Sequence, residues 1–236
     1  MGNQSFRVDP SFWALFPNAV IGVVVARDLD NSRRPERCAA LLAKAGDSAA
    51  ARLGDEDLAT HPAVAPWRNA YSAFGVKPAK FRSSIENLLR SARSGTIRSI
   101  NPLVDLYNAI SLQHFLPCGG EDLTAVAGPL VLTRATGGEP FVPLGLSEDQ
   151  PPQPGEVIYR DDVGVICRCW NWREADRTKL TPNTTNAFLC IEGMPPTGPA
   201  AVQAACDDLA GLLREHLGAA AVTHIVRAGD DELRLG

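Results

Sequence analysis

"SINPLVDLYNAISLQHFLPCGGEDL", residues 99–123, is the stretch on which the reading of this chain turns. Asn101 is a residue type whose side chain accepts an orphan amide at a helix start, and Pro102, at the first helical position, has no amide to orphan. A helix is therefore expected to begin there. At 3.6 residues per turn, Ile100, Leu103, Val104, Tyr107 and Ile110 share one face, and Asn101, Asp105 and Asn108 lie opposite. Such a polar stripe more often faces water than a ligand. Here the helix runs into Pro117-Cys118-Gly119-Gly120, expected as a loop, where glycine lets backbone amides approach a ligand and stabilise an oxyanion. Helix and loop together can then form one wall of a pocket for a small polar ligand.

Upstream, "KPAKFRSSIENLLRSARSG" (77–95) is the clearest amphipathic helix: Phe81, Ile85, Leu88, Leu89 and Ala92 form one apolar stripe. Pro78 suits its first turn and Gly95 its C-terminal cap. Arg82, Glu86, Arg90 and Arg93 fall on one flank, expected to be exposed. Further back, the Val-rich run 19–26 reads as a strand covered on both faces. Residues 12–16 form an amphipathic piece, and 36–53 and 67–74 read as helices. Downstream the texture turns to β: "GPLVLTRAT", "GEPFVPLG", "GEVIYRDD", "VGVICRCWNW" and "NAFLCIEG" are short runs separated by turn residues, with "TGG" as a hairpin turn. Helix returns over 198–217, and strand-like runs close the sequence. Helices on either side of a block of strands give an α+β class, expected as one domain over 1–236.

Net charge is −4, so composition alone gives no ground for wholesale binding to nucleic acid, and DNA is not an expected partner. The distribution is uneven: from Lys77 to Arg98 there are six cations (Lys77, Lys80, Arg82, Arg90, Arg93, Arg98) against Glu86 alone. This is either a basic face on an acidic body or the solvated side of an ordinary helix. No apolar run reaches the roughly 18 residues of a membrane span, and "MGNQSFRVDP" has no secretory pattern, so a cytoplasmic protein away from membranes is expected. Gly2 is a weak myristoylation cue. The six cysteines are expected to be reduced. Cys167 and Cys169, two apart on a strand, would share a face, but no second pair completes a metal set. No metal or cofactor is expected. None of the four histidines has metal-ligand spacing, and no nucleophile elbow, Walker loop or dinucleotide fingerprint is present. His114 stands between polar helix and loop, where a structural role is the commoner one. Glu192 ends the apolar run "FLCIEG" and either caps it in solvent or is aimed into a pocket.

The opening segment resembles "R-P-I-N-N-V-V-D-V-T-N-Y" followed by "P-x-H-A-F-D" in the B3/B4 editing domain of the bacterial phenylalanyl-tRNA synthetase β subunit. Arg98, Ile100, Asn101, Val104, Asp105, Asn108, Pro117 and Asp122 stay in step without gaps. "GGEPFVPLG", "PGEVIYRDDVGVI" and "FLCIEG" follow in the family's order, so the resemblance covers 98–193, and the flanks look like those of free-standing relatives. It implies a three-layer α+β fold with a β-rich, barrel- or sandwich-like core flanked by helices, and a pocket that hydrolyses mischarged aminoacyl-tRNA. Carried over by position, Asn108 is a pocket asparagine, Glu192 contacts the misattached amino acid and Cys169 lines the pocket. The family's threonine is Tyr107 here, which fills space, and its histidine is Gly119, with His114 as another source of imidazole.

The expected activity is therefore an aminoacyl-tRNA deacylase. Asn108, Gly119 and Gly120 orient water and carbonyl, Glu192 holds the amino acid, and Tyr107, His114 and Cys169 adjoin the substrate. Lys77, Lys80, Arg82, Arg90, Arg93 and Arg98 contact tRNA phosphates near the charged 3′ end. The alternative is a non-catalytic module that binds tRNA or an amino-acid-like metabolite; a purely structural interaction domain is a third reading. The oligomeric state is not readable from the sequence, which is compatible with a monomer.

Overall fold

A computed structural model of the chain describes residues 4–230 and 232–235; the Met1-Gly2 start lies outside them. The elements run β1 (Ser5–Val8), α1 (Pro10–Leu15), β2 (Val20–Arg27), α2 (Pro35–Leu53), α3 (Ala65–Ala73), α4 (Ser84–Arg93) and α5 (Pro102–His114). Then come β3 (Cys118–Asp122), β4 (Leu130–Arg134), β5 (Val157–Arg160), β6 (Val165–Arg168), β7 (Arg173–Glu174), β8 (Ala187–Gly193), α6 (Pro199–Leu212), β9 (Ala220–Val226) and β10 (Leu233–Arg234).

The Val-rich run sets the layering. Successive side chains of a strand point to opposite faces. Val20, Val24 and Ala26 of β2 therefore meet α5 and α6, packing with Leu103, Ile110, Val202 and Leu209, and Ile21, Val23 and Val25 face the other way. That second face packs on Phe6, Leu132 and Tyr159 of another sheet. Gly22 shares the helix-facing side of β2, and a Cβ there would collide with Cys206 and Val202 of α6; its absence lets α6 close on the sheet. The result is three layers: helices, a four-stranded antiparallel sheet ordered β3-β8-β2-β9, and a six-stranded sheet ordered β10-β1-β4-β5-β6-β7. Among the described residues the two sheets do not join into a barrel, so the β-rich core takes the sandwich form of the expected fold. An aromatic cluster centred on Trp170, with Phe12, Phe16 and Trp67 about it, lies in the core between the sheets.

Local chemistry explains where the sequence reading was displaced. Asn101 caps α5 as expected, its Oδ1 accepting from Val104 N at 3.1 Å, but it and Asp105 are both buried. Asp105 accepts from Ser99 Oγ and the Ile100 amide, holding the approach to the helix, and Ile100 points outward at 67% exposure. The polar stripe thus faces neither water nor, for these two residues, a pocket. The basic helix starts at Ser84 rather than Pro78, because Ser83 supplies the cap to Glu86 N. Glu86 is fully buried, not on an exposed flank; Arg68 and Arg90 hydrogen-bond it and Arg82 lies 3.7 Å away. "TGG" is no hairpin turn: residues 135–156 join β4 to β5 as one long connection. Cys169 lies beyond the end of β6 at φ +48°, so its thiol meets Glu156 and does not share a face with Cys167.

Gly22→Ala is expected to lower stability by about 1–3 kcal/mol, the usual cost of overpacking. Urea unfolding of the two proteins measures it, and an unchanged midpoint would refute the close approach of α6.

Candidate ligand pocket

Cys118-Gly119-Gly120-Glu121-Asp122, expected as a loop, is instead the edge strand β3, paired antiparallel with β8 as Gly119↔Cys190 and Glu121↔Phe188. Glycine is required here for packing: a Cβ on Gly120 would run into the Leu189 side chain and the Phe188 carbonyl. Where β3, at the edge of one sheet, comes beside β7, at the edge of the other, a cavity of about 220 Å³ opens. Tyr107 and Asn108 of α5 line it, with Gly119, Gly120 and Glu121 of β3 and Glu174 of β7. Aromatic walls come from Tyr159, Trp170, Trp172 and Phe188, and Ser84 at the start of α4 reaches it as well.

The structure brings Asn108, Tyr107, Gly119 and Gly120 to this one hollow and leaves the other expected residues around or away from it. Glu192 stands behind the wall, buried, its carboxylate accepting hydrogen bonds from Tyr159 Oη (2.5 Å), Trp170 Nε1 (2.6 Å) and Asn171 Nδ2 (2.7 Å). Those three donors line the cavity, and Glu192 stands behind the lining that they form. Burial raises its pKa from the ordinary 4.5 to about 7, against the lowering effect of the three donors. His114 lies outside the lining and bonds Asp208 Oδ2 at 2.8 Å, tying α5 to α6. Cys169 is fully buried away from the cavity; Cys118, Cys167 and Cys190 are the cysteines that line it.

The two glycine amides diverge. In an antiparallel ladder alternate residues turn their N–H toward the partner and away from it. Gly120 N–H points outward to Glu174 Oε1 at 3.2 Å, so Gly119 directs its own toward β8. These two amides therefore form no vacant pair for an oxyanion.

Two functional candidates went unnoticed in the sequence: Glu121 and Glu174, which line the same cavity from different sheets. Burial raises both carboxyl pKa values; the neighbouring Glu174 raises that of Glu121 further, whereas the Gly120 amide lowers that of Glu174. The Thr178 hydroxyl lies close enough to favour the charged form of Glu121, yet neither Thr178 Oγ1 nor Glu121 Oε2 makes a hydrogen bond of normal geometry. Glu121 directly follows a Gly-Gly pair and Glu174 sits in a polar run; nothing in their spacing reports that they meet. Among the described residues no group of histidine, cysteine and carboxylate side chains is arranged to hold a metal, and no helix is long and apolar enough to cross a membrane.

The basic segment divides. Lys77, Lys80, Arg82, Arg93 and Arg98 are exposed; Arg90 is half-buried and spent on Glu86. Phe81 packs edge-on against Trp172 at 4.6 Å, which brings the Lys80–Arg82 segment to the rim of the cavity. Arg93, nine residues beyond Ser84 on α4, lies roughly 13 Å further off, and its guanidinium donates to the Glu56 carbonyl.

With that geometry in place, the chain belongs to the B3/4 domain family, whose profile matches residues 66–218. Comparison with curated proteins finds no match. Among solved structures the chain is similar to an N-terminal fragment of the phenylalanyl-tRNA synthetase beta-subunit from Pyrococcus horikoshii, at 14% identity and a TM-score of 0.52. The match takes in 98% of this chain and 55% of that one, so the chain spans about half the fragment's length, and the likeness is one of fold.

A folded-state pKa above the unfolded value means that Glu192 stabilises the fold below about pH 4.5 and loses that contribution as pH rises through 7. The stability of the native protein relative to Glu192→Gln is therefore expected to fall by about 3 kcal/mol between pH 4 and pH 8. Denaturant unfolding at both pH values measures it; a pH-independent difference would contradict the buried, proton-binding carboxyl.

Proposed function

We propose that the chain binds the aminoacylated 3′ end of tRNA and hydrolyses the ester joining a wrongly attached amino acid to the terminal ribose. The observation that carries this reading is the hollow itself. A member of the B3/4 domain family, similar in fold to a piece of a tRNA synthetase subunit, holds an aromatic-walled cavity of about 220 Å³ with Asn108 on its wall. That space suits one amino-acid-sized group, and the exposed Lys77, Lys80 and Arg82 near its rim suit the phosphates of the strand that delivers it. Ester hydrolysis can rest on a water held in line with the carbonyl, and the Asn108 amide both donates and accepts where that water would sit.

A second reading, recognition without turnover, is favoured by one specific observation. The amides expected to stabilise an oxyanion are already engaged, Gly119 in the ladder and Gly120 by Glu174. Under this reading the cavity binds the aminoacyl group and releases it unchanged.

A panel of mischarged tRNAs separates the two. Release of amino acid by the purified protein, slowed about 100-fold in Asn108→Ala, is expected if Asn108 orients the reacting groups. Undiminished hydrolysis in that variant would remove the site, whereas tight binding with no release from any tRNA would select the second reading. Lys80→Glu with Arg82→Glu should weaken tRNA binding and flatten its salt dependence by roughly 0.7–0.9 in log–log slope per lost phosphate contact. An unaltered slope would place the tRNA elsewhere.

A further inference from the structure

The acidic side of the cavity has no part in the reading above. Glu121 is only 4% exposed, and its Oε2 accepts no hydrogen bond. Glu174 accepts one, from Gly120 N–H. Nearby cations are committed elsewhere: Arg177 pairs with Asp161 at 2.8 Å, and Arg173, although it reaches the cavity, donates to the Leu144 carbonyl at 3.1 Å. Glu121 has thus been taken out of water and Glu174 is half-buried, and among the described residues neither carboxylate makes an ion pair. Burial of this kind is costly, and apolar side chains of the same volume would serve the packing better. A cavity lined by Glu121, one of whose carboxylate oxygens is left without a partner, and by the second carboxylate of Glu174 is an arrangement that a cationic ligand completes.

We propose that Glu121 and Glu174 form a receptor for the primary ammonium group of a ligand whose apolar body fills the aromatic remainder of the cavity. An ammonium brings three donors on one atom, and the site offers three acceptors in Glu121, Glu174 and the Asn108 carbonyl oxygen. Trp170, Trp172 and Tyr159 add the aromatic surface that favours a cation over a neutral group. The proposal rests on the aminoacyl reading for its biological meaning and narrows it. The substrate class is acyl groups that carry a free amine, and N-blocked aminoacyl groups are rejected.

Benzylamine and benzyl alcohol, close in shape and differing in charge at neutral pH, test this without any tRNA. Titration of the full chain is followed by tryptophan fluorescence, since Trp170 and Trp172 line the site. Benzylamine should bind at least ~10-fold more tightly than the alcohol, the scale of a charge-assisted hydrogen bond. Glu121→Gln and Glu174→Gln should each reduce that preference severalfold, and Glu174→Asp, which keeps the charge, should preserve part of it. Equal affinity for the two probes, binding of neither, or a preference that survives both Gln variants would overturn the receptor. Its failure is distinguishable from that of the hydrolase reading. Amine binding without deacylation leaves the receptor and removes the hydrolase, whereas equal hydrolysis of N-acetylated and free aminoacyl-tRNA leaves the hydrolase and removes the receptor.

Discussion

A single buried carboxylate holds the two sheets in register at the place where they matter. Glu192 belongs to β8 of the four-stranded sheet; its donors are Tyr159 on β5 of the six-stranded sheet and Trp170 and Asn171 on the β6–β7 connection. Hydrogen bonds to a buried acceptor are modest in net worth but expensive to leave unmade, so the three donors are fixed together or not at all. Because Tyr159, Trp170 and Asn171 are also cavity wall, the same network that ties sheet to sheet sets the shape of the hollow. Tyr71 Oη bonds Asn171 Oδ1 at 2.8 Å, extending the constraint to α3.

Charge is distributed so that interior and rim differ in sign. The cavity presents Glu121 and Glu174, and exposed cations stand at its edge, Arg173 in the lining and those of the segment before α4 beside it. The buried Glu86 gathers Arg68, Arg82 and Arg90 on the helix that carries this segment, which orders part of the basic surface. Arg90 is consumed by that pairing and Arg93 donates to the Glu56 carbonyl, so ahead of the helix the exposed positive charge is that of Lys77 and Lys80, with Arg82 shared with Glu86. Arg98, also exposed, lies beyond the end of α4.

Much of the fold was legible in one dimension. The Asn101-Pro102 start of α5, the Val-rich β2, the long α2 and the α6 stripe were read where they form, because capping chemistry and side-chain period are local properties. The Gly-Gly strand was misread because β3 draws its extended shape from pairing with β8, some seventy residues away. The burial of Glu86 depended on Arg68 of another helix, and the loss of Cys169 from the site on a positive φ that residue type does not announce.

The sequence by itself determined the α+β class and the presence of Asn108 and the glycines at one stretch of chain, and the three layers came as what the family resemblance implies. Those follow from periodicity, from caps and from the order of short motifs. Tertiary structure alone decided that Glu192 braces the wall from behind, that His114 faces α6, and that Glu121 and Glu174 meet in one hollow. The reason is physical: which side of a strand faces a cavity is fixed by register between distant segments, and a carboxylate's role is fixed by what surrounds it, neither of which is written in the residues next to it.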